Sequence, residues 1–145
     1  TKKKIISNVK QIKKFYKNFL NINPKIAVLG LNPHCETVDK ISEEKKIIIP
    51  AIKRLRKNKI VVEGPYPADT IFMAKNSKKF DVIVGMYHDQ VLTPSKTLFG
   101  FDAINITLGL PYIRISPDHG PNEKMVGKNL SDPQSLIQAI KFLDK

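Results

Sequence analysis

KIAVLGL, residues 25–31, decides the fold class of this chain, because its apolar residues are continuous rather than alternating. A strand covered on both faces of its sheet shows this pattern, whereas a strand with one solvated face alternates apolar and polar residues. DVIVGM, residues 81–86, repeats the pattern, and KIVVEGP, residues 59–65, is a shorter strand candidate between them. Helical segments separate these strands, so we predict an α/β protein, layered α/β/α, with a mixed and substantially parallel sheet.

Helix signals flank the first strand. Residues 1–24 are predicted to form an amphipathic, lysine-rich helix that is capped at Ser7 or Asn8 and ended by Asn23-Pro24. A second helix is predicted from Ser42 to about Lys57, with an interruption or kink at Pro50.

The rest of the chain carries weaker signals. We predict a helix over 67–80, a loop with helical turns over 88–100, strands over 103–108 and 112–116, a polar loop over 118–129 and a helix over 132–144. Asp132 is the predicted cap of the last helix, with Pro133 at its first position.

The net charge of +12 comes mainly from lysine, since the arginines are Arg54, Arg56 and Arg114. Proteins that bind specific bases and phosphates commonly use the planar guanidinium group of arginine. A solvated lysine face is therefore the favoured interpretation, attraction of an anionic small molecule comes next, and nucleic acid comes last. The single cysteine, Cys35, cannot form an internal disulfide, which favours a reducing compartment and a cytoplasmic protein. No apolar stretch approaches the roughly 20 residues that a membrane helix needs, so we expect no membrane partner.

Each of the three histidines, His34, His88 and His119, follows a predicted strand. Ligands of parallel α/β sheets bind beyond the carboxyl ends of the strands, which favours a site there. Imidazole suits zinc and similar divalent metals, and a neighbouring carboxylate can orient the ring. The spacing is too wide for a compact zinc motif, so these residues alone leave open a three-histidine metal site and purely structural roles. No G-x-S-x-G elbow supports a Ser-His-Asp hydrolase.

Cationic and amide residues form a second candidate group. Lys96 and Arg114 follow MYHDQ (residues 86–90), with Asn105 between them at a predicted strand. Two cations and an amide suit a small phosphorylated or carboxylated substrate, although a plain surface role for Lys96 is an open alternative. Neither a G-x-G-x-x-G motif nor a Walker loop is present, so neither common nucleotide fingerprint applies.

The blocks LGLNPH, GPYPADTIF, MYHDQ, NITLGLPYIRIS and DHG, in this order, resemble the C-terminal part of the 4-hydroxythreonine-4-phosphate dehydrogenase family of pyridoxal phosphate (vitamin B6) biosynthesis. The resemblance runs from about Lys25 to the end. It implies that residues 1–145 are the C-terminal portion of a two-domain dehydrogenase whose N-terminal half is absent, with the motifs in 25–145. It also implies the fold of isocitrate and isopropylmalate dehydrogenases and a homodimer with the site at its interface.

The resemblance further implies roles for single residues. The matched positions are metal ligands at His34 and His88, substrate contacts at Lys96, Asn105 and Arg114, and cofactor contacts at His119, Gly120 and Asn129. A third metal-ligating histidine is implied upstream of this chain, which places His119 in the cofactor loop instead. Asp89 is expected to orient His88, with a loop-capping role as the alternative.

Three places depart from the family's pattern. CETVDKISEE follows LNPH where a small residue and glycines are usual, and Val91 follows MYHDQ where glycine is usual. The DHG loop continues with Pro121-Asn122, and Pro121 lacks the backbone N–H that a cofactor contact could use.

The implied activity is oxidation of 4-phosphohydroxy-L-threonine followed by decarboxylation to 3-amino-2-oxopropyl phosphate. NAD or NADP and a divalent metal (zinc, magnesium or cobalt) are the implied cofactors. Two alternatives remain: a relative that acts on another phosphorylated hydroxy acid, and a catalytically incomplete, anion-binding, dimerising domain. We expect the chain by itself to be inactive.

Overall fold

A computed structural model describes residues 1–35, 42–120 and 123–144 of the chain. Most of CETVDKISEE and both Pro121 and Asn122 therefore lie outside the described residues. The chain divides into two compact units, Thr1–Leu92 and Thr93–Lys145. The predicted α/β class is confirmed, because the first unit contains a parallel sheet flanked by helices.

The elements of the first unit alternate between helix and strand. In chain order they are α1 (Lys2–Phe19), β1 (Ile26–Leu29), a π-helical turn (Glu44–Ile48), α2 (Ile49–Lys57), β2 (Val62–Tyr66), α3 (Ala74–Ser77) and β3 (Val82–Val84). A further helix, α4 (Asp89–Phe99), contains the boundary between the units. The predicted interruption at Pro50 is confirmed, since this proline lies in the first turn of α2, directly after the π-helical turn.

Strand β1 is the centre of the parallel sheet, whose strand order is β2-β1-β3. All four residues of β1 are buried, as its continuous apolar sequence predicts. Ile26 and Val28 belong to the core cluster that also contains buried residues of α1 and α2. Ala27 and Leu29 belong to a second cluster, with Ile71. Both faces of the sheet are therefore covered, which gives the layered arrangement.

Helix α1 begins earlier than its sequence predicts. Thr1 is the cap, and its hydroxyl oxygen accepts a hydrogen bond from the Lys4 N–H at 3.4 Å. The predicted cap at Ser7 or Asn8 is wrong, because lysine is a good helix former and the preceding lysine run extends the helix to the threonine. The helix ends at Phe19, before Asn23-Pro24, and Asn21 takes a left-handed backbone conformation (φ 55°).

Two predictions for the middle of the chain are wrong. The predicted helix over 67–80 is mostly turns with the four-residue α3, because Met73 has an extended backbone (ψ 134°) directly before it. The predicted loop with helical turns over 88–100 is instead largely one continuous helix, α4, which tolerates Pro94 inside it. Neither outcome follows from local propensity, since both segments are short and rely on tertiary contacts.

The second unit consists of the remainder of α4, an antiparallel strand pair and a further helix. Its elements are β4 (Ile104–Thr107), β5 (Arg114–Pro117) and α5 (Gln134–Leu143), with 3-10 turns at Gly100–Asp102 and Glu123–Met125. The described strands thus form a three-stranded parallel sheet and a separate pair rather than one mixed sheet. Pro133 is the residue before α5, so the predicted cap is displaced by one position. The Asp132 carboxylate still accepts a hydrogen bond from the Gln134 N–H at 2.8 Å.

In the part of the chain that the structure describes, no helix combines the length and apolar character needed to span a membrane.

Candidate functional site

His34 and His88 follow two neighbouring parallel strands, as predicted. β1 and β3 pair through Val28 and Val84, and each histidine comes a few residues after its strand. The carboxyl ends of parallel strands meet at one edge of a sheet, so both imidazoles belong to the same edge of the first unit. Both side chains are exposed. His119 follows β5 and belongs to the second unit.

A carboxylate contacts the Nδ1 atom of each of these two imidazoles. Asp89 Oδ1 lies 2.8 Å from Nδ1 of His88. Asp69 Oδ2 lies 3.6 Å from Nδ1 of His34. Asp69 lies inside a predicted helix and was not predicted to belong to a site. The sequence indicates Asp69 only through its place after β2. Each strand of the parallel sheet, β1, β2 and β3, is therefore followed by a candidate site residue at the same edge.

This arrangement fits a divalent metal. A metal-ligating histidine commonly has one ring nitrogen bound to a carboxylate, which fixes the ring and leaves the other nitrogen for the metal. Nε2 of His34 and His88 takes no part in the carboxylate contacts. Within residues 1–35, 42–120 and 123–144, no three His, Cys, Asp or Glu side chains form a group that could hold an ion. The described residues therefore offer a partial ligand set.

Cys35, next to His34, does not present a ready thiolate to this edge. Burial is the main influence on its thiol and raises its pKa, and a hydrogen bond with the Gly30 backbone only partly opposes this effect. The neutral thiol is a poor metal ligand, because thiolate is the coordinating form.

Glu44 anchors the loop that carries His34. Its side chain is buried, at 2% exposed, and Oε1 accepts hydrogen bonds from the N–H groups of Leu31 at 2.9 Å and Asn32 at 2.8 Å. The Asn32 side chain in turn accepts from the His34 N–H at 3.0 Å. Burial by itself raises the pKa of Glu44, but these hydrogen bonds outweigh burial and hold the pKa below its ordinary value. Glu44 was predicted only as part of a helix start.

Replacing this carboxylate tests its role. Glu44→Gln is expected to lower the free energy of unfolding at neutral pH by about 1–2 kcal/mol, because two charge-assisted hydrogen bonds become neutral ones. The lowered pKa means that the wild-type carboxylate stabilises the fold fully above its unfolded-state pKa, near 4.5, and loses this effect as pH falls through the folded-state value. Glu44→Gln should therefore lose less stability on acidification below pH 4.5, as measured by urea unfolding across a pH series.

Exposed Glu43→Gln is the matched control for that series and should follow the wild-type pH curve. The pKa of Glu63 is lowered mainly by its hydrogen bond with the Tyr66 hydroxyl. Because all three proteins contain this pair, its effect on the pH dependence of stability is the same in each. A Glu44→Gln curve parallel to that of the wild type would contradict the anchoring role.

In the second unit, Asn105 and Arg114 lie on one face of the β4–β5 pair. Asn105 is opposite Ser116, and Thr107 is opposite Arg114, so these four side chains share a face. Arg114 Nη1 donates to Thr107 Oγ1 at 2.9 Å, and both Asn105 and Arg114 are exposed. An amide and a guanidinium on one exposed face suit an anionic ligand.

Lys96 lies near the carboxyl end of β5, where its ammonium group contacts Asp118. Nζ donates to the Asp118 backbone carbonyl oxygen and lies 3.3 Å from Oδ2 of the same residue. The Lys96 side chain is 47% exposed, so a surface ion pair and a ligand contact are both open to it. An ammonium carries three donors, so Asp118 does not exhaust its capacity for an anion.

The predicted cofactor residues follow in the same unit. His119 Nδ1 lies 3.3 Å from the Gly120 carbonyl oxygen, and the imidazole meets the Phe101 ring edge-on. A Cβ at Gly120 would meet no other described atom within 4 Å. Asn129 has a left-handed backbone (φ 51°) and lines an open depression of about 450 Å³ beside Gly127. These residues offer accessible backbone and polar groups of the kind that a nucleotide contacts.

Comparison with known proteins gives consistent similarities. A family model described as "Pyridoxal phosphate biosynthetic protein PdxA" matches residues 1–143. Among curated relatives, 4-hydroxythreonine-4-phosphate dehydrogenase of Sulfurihydrogenibium sp. (strain YO3AOP1) is 50% identical over 144 residues, covering 98% of this chain and 44% of the relative. The Bradyrhizobium diazoefficiens enzyme of the same name is 44% identical over 147 residues, with 100% and 43% covered.

Solved structures agree with the sequence matches. The 4-hydroxythreonine-4-phosphate dehydrogenase of Klebsiella pneumoniae has a TM-score of 0.81 and 34% identity, over 98% of this chain and 44% of that one. A terephthalate 1,2-cis-dihydrodiol dehydrogenase of Burkholderia xenovorans has a TM-score of 0.71 and 26% identity, over 96% and 44%. The chain thus spans less than half the length of the relatives it matches.

Proposed function

Because this chain belongs to the PdxA family of pyridoxal phosphate biosynthetic proteins, we propose that it forms part of an NAD(P)- and metal-dependent 4-hydroxythreonine-4-phosphate dehydrogenase. The proposed reaction oxidises 4-phosphohydroxy-L-threonine and then releases carbon dioxide to give 3-amino-2-oxopropyl phosphate. One observation carries the proposal: two imidazoles at one edge of the sheet, each with Nδ1 beside a carboxylate.

His34 and His88 would hold the metal through Nε2, with Asp69 and Asp89 orienting their rings. A divalent ion at this position supplies Lewis acidity, which lowers the pKa of a substrate hydroxyl group. Zinc, magnesium and cobalt are the candidate ions, and the imidazole ligands favour zinc or cobalt over magnesium.

Lys96 and Arg114 would neutralise the phosphate and carboxylate of the substrate, and Asn105 would add a directed hydrogen bond. A nicotinamide cofactor would supply a hydride acceptor for the carbinol carbon, and the hydroxyl proton would pass to solvent. The product would be a β-keto acid, which loses carbon dioxide readily. His119, Gly120 and Asn129 are the proposed cofactor contacts.

We also propose a cytoplasmic homodimer with the site at the interface between subunits. Exposed large apolar side chains in the second unit would serve such an interface if they form one contiguous patch, since monomers rarely expose large contiguous apolar patches. They include Phe99, Phe101, Tyr112, Val126 and Leu130. No membrane or nucleic-acid partner is proposed.

A second candidate is a dehydrogenase with a different substrate. The structural similarity to an enzyme titled a terephthalate dihydrodiol dehydrogenase favours it, because related folds then serve more than one substrate. A terephthalate dihydrodiol is itself a dicarboxylate, so the cations at Lys96 and Arg114 suit either anionic substrate, and the family match favours the phosphorylated one.

The test is NADH formation from 4-phosphohydroxy-L-threonine with added zinc or magnesium. It would be run on this chain and on this chain joined to the N-terminal half of the Sulfurihydrogenibium relative. We expect activity from the joined protein, its loss with a chelator and its return with metal, and none from the shorter chain. A joined protein that binds metal but stays inert with this substrate would favour another substrate. Activity that survives chelation would contradict the metal-dependent mechanism.

A further inference from the structure

Gln90 connects the ends of two neighbouring strands. The pairing of β1 with β3 ends at Val28 and Val84, and the same register continued by two residues would place Gly30 opposite Met86. The amide of Gln90 lies between these two residues instead. Its Oε1 accepts from the Met86 N–H at 2.8 Å, and its Nε2 donates to the Gly30 carbonyl oxygen at 2.8 Å. A side-chain amide thus bridges the two strands where direct pairing stops.

This amide is buried and satisfied at both ends. Gln90 is 6% exposed, and a buried amide is costly unless its polar atoms are hydrogen-bonded. Gly85 lets the first turn of α4 approach the strand end, because a Cβ there would lie 2.8 Å from Val91 Cγ1 and 3.4 Å from Gln90 Cβ. The contact therefore belongs to the packed interior and not to a mobile surface.

The two groups that Gln90 joins belong to the two histidine-bearing loops. Gly30 precedes His34 by four residues, and Met86 precedes His88 by two. The hydrogen bonds of one side chain therefore link the backbones that carry both imidazoles. Metal affinity depends on holding ligands at a fixed separation before the ion arrives.

We infer that Gln90 is a positioning residue that sets the separation of His34 and His88 and so controls metal affinity without touching the ion. The inference rests on the proposed metal site. A merely structural role would lower stability without this specific effect on affinity.

The experiment is a Co²⁺ titration of the joined protein, because the described residues of this chain supply only part of a ligand set. Binding is followed by the visible absorption of the bound ion, with thermal unfolding recorded in parallel. Gln90→Met keeps the length of the side chain and removes both hydrogen bonds. We expect it to weaken Co²⁺ binding by about tenfold or more, in the range seen when partners outside the ligand set are lost. Gln90→Glu keeps the acceptor for Met86 but loses the donor to Gly30. Its Co²⁺ affinity should lie between those of the wild type and Gln90→Met.

Exposed Gln11→Met on α1 is the matched control and should bind Co²⁺ like the wild type. A cycle with His34→Ala separates positioning from stability: in that background Gln90→Met should have no further effect on affinity. If Gln90→Met is folded and binds Co²⁺ as tightly as the wild type, the inference is overturned while the metal site stands. If the wild type binds no Co²⁺ and His88→Ala changes nothing, the metal site and this role of Gln90 are both refuted.

Discussion

His88→Ala is expected to abolish NADH formation by the joined protein and to weaken metal binding by more than about 100-fold. Loss of partners outside the ligand set already costs roughly 10- to 100-fold, and this substitution removes a proposed ligand outright. The Asp89 carboxylate, which lies 2.8 Å from the ring, would also lose its partner. The measurements are Zn²⁺ affinity by competition with a chromophoric chelator, and the initial rate at saturating metal.

His119→Ala is the matched control for this prediction. Its imidazole belongs to the second unit and contacts Gly120 and Phe101, so metal affinity should stay unchanged while the KM for NAD rises. If both substitutions weaken metal binding equally, His119 is a ligand, and the three-histidine interpretation of the sequence replaces the one that the family resemblance implies.

Leu55→Ala is expected to lower the free energy of unfolding by about 2–5 kcal/mol, the range for a buried leucine that leaves a cavity. Leu55 is 0% exposed in the core cluster that contains Val9, Ile26 and Ile52. Whole domains are stable by only about 5–15 kcal/mol, so this loss is a large share of the total. Urea unfolding monitored by circular dichroism measures it.

Leu31→Ala is the same chemical change in the same unit, at a side chain that is 41% exposed. It should cost about 1 kcal/mol or less, because little apolar surface becomes newly hydrated. Equal losses for the two variants would contradict the assignment of the core to the faces of β1.

The central strand could be predicted from sequence because burial on two faces leaves a direct trace in composition. Residues 26–29 are all apolar and all buried. The ends of helices were harder to predict from sequence. Thr1 caps α1 through one hydrogen bond, and Ser7 or Asn8 could equally have made such a bond. The split into a parallel sheet and a separate strand pair was not predictable, because pairing depends on contacts between distant segments.

The difference between local signals and distant contacts also decides which residues of the candidate site could be predicted. His34 and His88 were found because histidine after a buried strand is visible in the sequence. Asp69 and Glu44 were missed because their partners lie 35 and 12 to 13 positions away, so nothing local marks them. Gln90 likewise carries no local sign of its role, since its partner Gly30 is 60 residues earlier.

The bond between Gln90 and Met86 also limits how the segment between β3 and α4 can change in evolution. Tyr87 is exposed and can vary in chemistry without disturbing the bond. An inserted or deleted residue between Met86 and Gln90 would instead carry the amide away from both strand ends. Across the relatives, this segment should therefore accept substitutions at Tyr87 but not changes of length.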